Sequence, residues 1–478
     1  MRIIASFGIE IYRKGRELMI TYMKINGFKS FHNFEMEFTP LTIIAGTNAS
    51  GKSNLFDALM LLSSLADTDN IKKAFKEQRG EFLELFSQYG ENNYAHEMDF
   101  CVEMLVNKNI SDAWGNKSVV KNTRLRYELR IRRFTNEAGM EDIEVSYEHL
   151  HNLKRKEDKW IKIIPVQYRE LWRPKVPGGR GIPYIYTKEE NHVPTVIVPQ
   201  DGTTGNKRRF PIKNASRTVL SSFDTIDFPH VFAAKEEMKS WKFLQLNPED
   251  LRKPTNKSNG EDFITQSGKN LAAALNRIAL RNEYSLGEIS RKLQSFVPNF
   301  IRVKVIDDKE NKQFIIKIID KDNKEYSSRV LSEGTLRILA LCILEQDEQF
   351  SGLLCFEEPE NGIHPFRIST MASLLKDLTN DFTDEELPLR QVIVNTHSPI
   401  LVSNIYKWEK DQNVSIWYAE LVNRVADIDG KRMNITVTGV LPVIKEKSFQ
   451  LTLPLTEMQK KITLATVREY LETKENLQ

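Results

Sequence analysis

The stretch CFEEPENGIHP, residues 355–365, ends an apolar run in three close carboxylates, Glu357, Glu358 and Glu360. Like charges at such spacing repel, and carboxylates at the end of a buried strand are costly unless a cation, a water or a partner meets them. An upstream stretch supplies a reason for them. GTNASGKS, Gly46 to Ser53, matches G-x-x-x-x-G-K-[ST], with an apolar strand pattern before it and helical spacing after it. Glycines let the backbone wrap phosphates closely, and the free N–H groups of a helix start hold the anion. Lys52 suits the β and γ phosphates, and the Ser53 hydroxyl suits Mg²⁺. Gly46, Asn48, Ala49, Ser50, Gly51, Lys52, Ser53 and Asn54 are therefore the candidate nucleotide-binding residues.

The acids then divide by role. Glu357, last in the apolar run, is placed to hold Mg²⁺ directly or through a water. Glu358 is placed to orient or deprotonate the attacking water, and so is a catalytic candidate. A solvated acidic loop would explain the charges, but not their position after an apolar strand downstream of a P-loop. LSEGT, Leu331 to Thr335, precedes a helical stretch. There Ser332 and Gly334 offer a hydroxyl and backbone N–H groups to a phosphate, although a serine at this place is usually only an N-cap. NTHSP ends another apolar strand with His397, which a strand end turns into a candidate γ-phosphate sensor and second catalytic residue.

Several elements must carry these residues. Residues 23–60 read as strand, strand, loop and helix, and 61–95 as mostly helical and charged. Residues 96–165 alternate as an antiparallel sheet. Met98, Phe100, Val102 and Met104 share one face, as do Leu125, Tyr127, Leu129 and Ile131, with Arg124, Arg126, Arg130 and Arg132 opposite. Residues 170–218 are rich in Pro, Gly, Asn and Arg and read as surface loops and short strands. From 225 onward helices alternate with the fully apolar strands GLLCFE and QVIVNTH, which predicts a mostly parallel sheet covered on both faces. The tail carries one or two strands and an amphipathic helix near 456–474. The expected division is an N-terminal extension (1–22), an α/β P-loop head (23–408) whose 61–255 segment holds an antiparallel lobe, and a C-terminal piece (409–478) suited to partner or dimer contact.

Composition sets outer limits. The chain has 478 residues, 40% hydrophobic and 28% charged, with a net charge of +3. That describes a globular protein with a real core, too mildly basic for nucleic-acid binding to be argued from charge alone. Three cysteines without CxxC spacing point to no zinc or disulfide framework and fit a reducing cytoplasm. Apolar runs fall short of a membrane span. MRIIASFGIEIY is no convincing signal peptide, because Glu10 and Arg13 interrupt it.

The order of P-loop, LSEGT, FEEPENGIHP and NTHSP, with GFKSF at 27–31 before them, resembles the ABC-type ATPase head of the SMC, RecF and OLD group. WKFLQLNPEDLRKP (241–254), GKNLAAALNRI (268–278) and SFVPNFIRVKV (295–305) are similar to one branch, the stand-alone ATPases of the AAA15 and AAA21 kind. The resemblance covers residues 23–405. It implies two heads sandwiching two ATP molecules, with Ser332, Glu333 and Gly334 of one copy facing the γ-phosphate held on Lys52 and Ser53 of the other. It places Lys29 of GFKSF on the nucleotide side. It makes Gln245 a candidate Q-loop metal contact, against a plain surface glutamine. Glu357 stands where many such ATPases have Asp. Two family features are absent: no heptad arm separates Ser53 from Leu331, and the about 80 residues after His397 are short for a nuclease domain. DIDG, Asp427 to Gly430, reads as a hairpin turn.

What the resemblance implies is an ATP- and Mg²⁺-dependent switch that forms a homodimer or higher homo-oligomer through ATP. By analogy with anti-phage systems, it would control a separate effector such as a nuclease or toxin, in the cytoplasm and away from membranes. The alternative is a repair or chromosome-maintenance ATPase acting directly on DNA. Its basic surface would be Arg124, Arg126, Arg130, Arg132 and Arg133 with Lys207, Arg208 and Arg209. A non-hydrolysing scaffold fits the complete set of acids and lysine poorly, and no guanine-reading N/TKxD motif follows the P-loop.

Overall fold

A computed structural model describes residues 19–443 and 469, apart from 92, 177–180, 203–205, 214, 283, 380–381, 384–388 and 429. The expected helix near 456–474 lies outside the described residues.

Two sheets organise the molecule. The first has six strands in the order Lys242–Leu244, Gly352–Glu357, Arg390–Thr396, Leu41–Ala45, Val414–Ile428, Lys431–Pro442. All neighbours are parallel except the last pair, an antiparallel hairpin. Its central strands, LTIIA and RQVIVNT, are buried at every residue. That is what a parallel sheet covered on both faces requires. Side chains alternate between two cores. Ile44, Leu353, Cys355 and Ile393 enter one core, and Ile43, Leu354, Phe356, Val392 and Val394 the other. Each such burial contributes about 1.5–3 kcal/mol, so a register slip of one residue would reverse both faces at once.

The second sheet is antiparallel, in the order Glu141–Asn152, Arg124–Thr135, Glu97–Leu105, Met19–Asn26, Phe34–Glu37. It packs with helix Lys52–Asp67 on the first core face. Helices Leu271–Arg281, Tyr284–Phe296, Glu333–Gln346 and Ile368–Asp377 cover the other. Among the described residues no helix exceeds the 16 residues of Lys52–Asp67, so no coiled-coil arm is present there. None is long and apolar enough to cross a membrane.

Three segments are placed differently from the sequence expectation. Strand Met19–Asn26 begins ahead of residue 23 and lies inside the antiparallel sheet, between Glu97–Leu105 and Phe34–Glu37. Helical structure in 61–95 stops at Lys76 and gives way to a short turn and the strand pair Gln88–Gly90 and Asn93–Tyr94. Most consequential is the segment after 408. Strand Val414–Ile428 pairs in parallel with the P-loop strand, Ile416 beside Ile43 and Tyr418 beside Ala45. Residues 414–442 therefore continue the head's own sheet, because an unpaired P-loop strand edge would leave its buried N–H and C=O groups unsatisfied. Asp427 pairs Arg432 and Ile428 pairs Lys431, so the first half of DIDG ends the strand and the hairpin reverses between Ile428 and Lys431.

Candidate active site

The P-loop strand ends at Ala45, and the chain wraps through Gly46–Gly51 into helix Lys52–Asp67. Gly51 has φ +87°, and a Cβ there would lie 1.9 Å from Thr438 Oγ1, so glycine is required on both counts. Asn48 and Ala49 form the exposed tip, and Ser50 is buried. Lys52 folds back over the loop, donating to the carbonyls of Gly46 at 2.8 Å and Thr47 at 2.6 Å. Burial pulls its ammonium pKa down, and Glu358, Glu360 and Glu357 oppose that pull. An ammonium held by carbonyls that phosphate oxygens can replace is ready for an anion.

The acids come in from the next strands. Glu357 ends strand Gly352–Glu357 and pairs with Asn395, which in turn pairs with Ile44 of the P-loop strand. Paired residues of parallel strands face the same way, and Asn395 Nδ2 donates to Ser53 Oγ at 3.2 Å. Glu357 Oε1 and Asn395 Oδ1 are buried without a hydrogen-bond partner among the described residues. The approach of Arg79 to Glu357 Oε1, at 3.9 Å, is too long for a hydrogen bond. Orphaned buried oxygens are costly. With the Ser53 hydroxyl they form an all-oxygen donor set of the kind Mg²⁺ takes, so these residues fit the ion. Gln245 directly follows strand Lys242–Leu244, whose last pair is Leu244 with Phe356. It is exposed beside the Glu357 strand end.

Glu358 adopts φ +48°, a left-handed conformation uncommon for a non-glycine residue and concentrated at functional sites. Its N–H donates to Asn395 O at 2.8 Å. Its carboxylate meets His397 Nδ1 at 3.0 Å and accepts from Asn361 Nδ2 at 2.7 Å. Both Glu358 and His397 remain part-exposed, open to a reacting water. Glu360 behaves differently. Its side chain is buried and accepts from Thr396 Oγ1. Burial pushes its carboxyl above the usual range.

The signature residues lie at the start of helix Glu333–Gln346. Ser332 is its N-cap and bonds Thr335, and Glu333 pairs with Arg337. A Cβ on Gly334 would lie 2.2 Å from the Gly362 carbonyl oxygen, so this helix start rests directly on the PENG turn. The hydrogen bonds described for Ser332 all stay within its own helix start.

Two expected nucleotide contacts are engaged elsewhere. Lys29 Nζ pairs with the buried Asp57 at 2.7 Å and donates to Arg79 O at 2.9 Å. Arg79 grips the other Asp57 oxygen. Asn54 Nδ2 donates to Ser30 Oγ at 2.8 Å. Lys29 and Asn54 thus brace the P-loop helix against GFKSF. Ser30 Oγ also meets Thr438 Oγ1 at 2.7 Å, and Thr438 Oγ1 lies 3.1 Å from the Ser50 carbonyl. Sequence reasoning missed Thr438, Asp57 and Asn395. Only Asn395 left a local signal, a polar residue inside VIVNTH.

The arginine ladder does not offer free charge. Arg124 pairs with Asp158 at 3.1 Å with both side chains buried. Arg126 meets Glu103, Arg130 meets Asp99 at 2.6 Å, and Arg132 meets Glu144. Arg133 donates to the Ala95 and Tyr94 carbonyls. Arg208 stacks over Phe228, and Arg209 pairs with Glu190.

Comparison with known proteins gives a family match and several similar solved structures. Residues 41–403 match the family described as "AAA domain, putative AbiEii toxin, Type IV TA system". No curated protein matches. Among solved structures, an SMC head bound to the C-terminal winged-helix domain of ScpA is 14% identical, with 90% of this chain and 99% of that one covered at a TM-score of 0.45. The Thermotoga maritima SMC head is 13% identical, covering 90% and 100% at 0.37. A Pyrococcus furiosus SMC head with an extended coiled coil is 14% identical, covering 94% and 99% at 0.41. At these TM-scores the likeness carries no functional argument. The family match, running over most of the 478 residues and containing the P-loop, both acids and the histidine, does: the chain belongs to this family of AAA-type ATPases.

Proposed function

We propose that the chain is a Mg²⁺-dependent ATPase that works as a switch, closing as a dimer around ATP and acting through a separate effector protein. The observation that carries this reading is the convergence, at the ends of three adjacent parallel strands, of Lys52 and Ser53, Glu357 and Glu358, and Asn395 and His397. Ligands of open α/β sheets bind at this end of the strands. Lys52 and the loop N–H groups bind the phosphates, as Gly46–Ser53 is shaped to do. Ser53, Glu357 and Asn395 would hold Mg²⁺, with Gln245 a further candidate ligand, and the ion would supply charge neutralisation at the phosphates. Glu358 takes the proton of the attacking water, and His397, bonded to it, fixes its orientation and faces the γ-phosphate.

Closure is supported by what surrounds the signature. Ser332 is exposed, and Val330 beside it and Phe366 beyond the PENG turn are 69% and 87% exposed. Apolar side chains at that exposure suit burial against a second copy. Ser332, Glu333 and Gly334 then complete the partner's phosphate site. The effector in this reading is a nuclease or toxin, in keeping with the toxin system named in the family's description. The neutralised arginine ladder gives no added support to direct DNA binding.

The test is phosphate release and light-scattering mass with ATP, for the wild type and Glu358→Gln. The reading expects hydrolysis to collapse and a stable ATP-bound dimer to accumulate in the variant. A variant that hydrolyses at the wild-type rate, or stays monomeric with ATP, would sink it.

A further inference from the structure

A second donor cluster lies on the outer face of the antiparallel lobe. Glu128 of strand Arg124–Thr135 pairs with His149 of strand Glu141–Asn152, and His151, two residues on, shares that face. Ligand atoms of Glu128, His149 and His151 all lie within 4.8 Å of one another. His149 Nδ1 is 3.6 Å from Glu128 Oε2, and the two imidazole centroids are 4.7 Å apart.

Two observations separate this cluster from an ordinary polar strand face. The neighbouring charges are matched: Arg126 with Glu103, Arg130 with Asp99, Lys24 with Glu35. Among the described ion pairs Glu128 has neither lysine nor arginine, only His149, and the Tyr147 hydroxyl stands 3.4 Å away. In addition, His151 Nδ1 is buried with no hydrogen-bond partner. A buried imidazole nitrogen without a hydrogen-bond partner, beside a carboxylate whose described ion pair is with an imidazole alone, is what a metal ion would satisfy on both sides.

We propose that Glu128, His149 and His151 bind one divalent transition-metal ion, with Zn²⁺ the best-suited, and that a water completes the coordination. Two imidazoles with one carboxylate favour zinc and its neighbours over Mg²⁺ or Ca²⁺. Three protein ligands leave a fourth position open. Bonds of about 2.0–2.2 Å need the donors closer together than they stand, a movement that half-buried side chains on a fixed strand pair make by rotation. The ion ties the outer strand of the sheet to its neighbour, so it also stabilises the lobe.

The test uses the untagged full chain, stripped with chelator, desalted and titrated with Zn²⁺ by calorimetry. Thermal melting is recorded with and without the metal. The expected result is one Zn²⁺ per chain and a rise in Tm that chelator reverses. His151→Ala should weaken binding by more than the roughly 10–100-fold that outer-shell changes cost. Glu128→Gln, nearly isosteric, gives the same loss of affinity without depending on how an alanine is tolerated. Lys52→Ala, remote from the cluster, should keep the full stoichiometry. Absence of stoichiometric Zn²⁺, or binding unchanged in both His151→Ala and Glu128→Gln, overturns the proposal.

Discussion

Two charged regions of this molecule look alike in sequence and differ in the fold. One is the acidic end of strand Gly352–Glu357, the other the arginine ladder of strand Arg124–Thr135. On the ladder Arg126, Arg130 and Arg132 lie opposite acids of neighbouring antiparallel strands, Arg126 opposite Glu103, Arg130 opposite Asp99 and Arg132 opposite Glu144, so these charges cancel across the sheet. At the parallel strand ends, side by side, stand Glu357 and Asn395, and both keep a buried oxygen without a partner. Availability of a charge is therefore decided by position along a strand and by strand direction, more than by charge density.

Glu358→Gln probes the acidic end and should show the largest effect. Removing a general base lowers turnover by about 10²–10⁴-fold, read as phosphate release under saturating ATP, with folding unchanged by circular dichroism. On the ladder the damage should fall on stability. Arg124→Ala removes one of the two guanidinium groups on the buried Asp158 and leaves Arg173 at 3.2 Å, so the loss is expected at about 1.5–3 kcal/mol in urea unfolding, the worth of a hydrogen bond to a charged group.

A buried acid outside both regions sharpens the contrast. Burial pushes the Glu237 carboxyl up to about 8, although Oε1 accepts from Trp241 Nε1. Its folded pKa exceeds the unfolded value of about 4.3, so the native state binds the extra proton between those limits. Stability should fall across that window as pH rises, by up to roughly 1.4 kcal/mol per unit, and level off above it. Glu237→Gln should flatten this slope in urea titrations run from pH 5 to 9. If the variant keeps the wild-type slope, the acid is not the cause.

Thr438→Val removes a hydroxyl that spans Ser30 and the Ser50 carbonyl. It should cost about 1 kcal/mol and several-fold in nucleotide affinity, with Thr438→Ser restoring both. An unchanged affinity would mean that the hairpin merely touches the P-loop. Arg130→Ala, with 44% of its side chain exposed, closes the series at about 0–1 kcal/mol and should leave retention on DNA cellulose unchanged. A clear drop in retention would reopen the ladder as a phosphate-binding face.

Much of this fold could be read before it was seen, and for a local reason. GTNASGKS is contiguous, so its loop geometry and its helix follow from neighbouring residues. Fully apolar runs such as LTIIA and QVIVNT announce strands buried on both faces. The alternation at 98–104 and 125–131 announces the half-buried lobe. Lys29 shows the limit. GFKSF marks the right neighbourhood, but whether its ammonium meets phosphate or carboxylate depends on Asp57, which is set by the turn of a helix.

By itself, then, the amino-acid sequence singled out the P-loop, the two acids, the serine of LSEGT and the strand-end histidine as candidates, because each is encoded within a few consecutive residues. Tertiary structure alone decided that Asn395 lies between Glu357 and Ser53, that Thr438 braces a loop hundreds of residues upstream, and that the arginines are already neutralised. Those outcomes rest on strand order and register, which are settled by the burial of whole faces and leave no mark on any single stretch of chain.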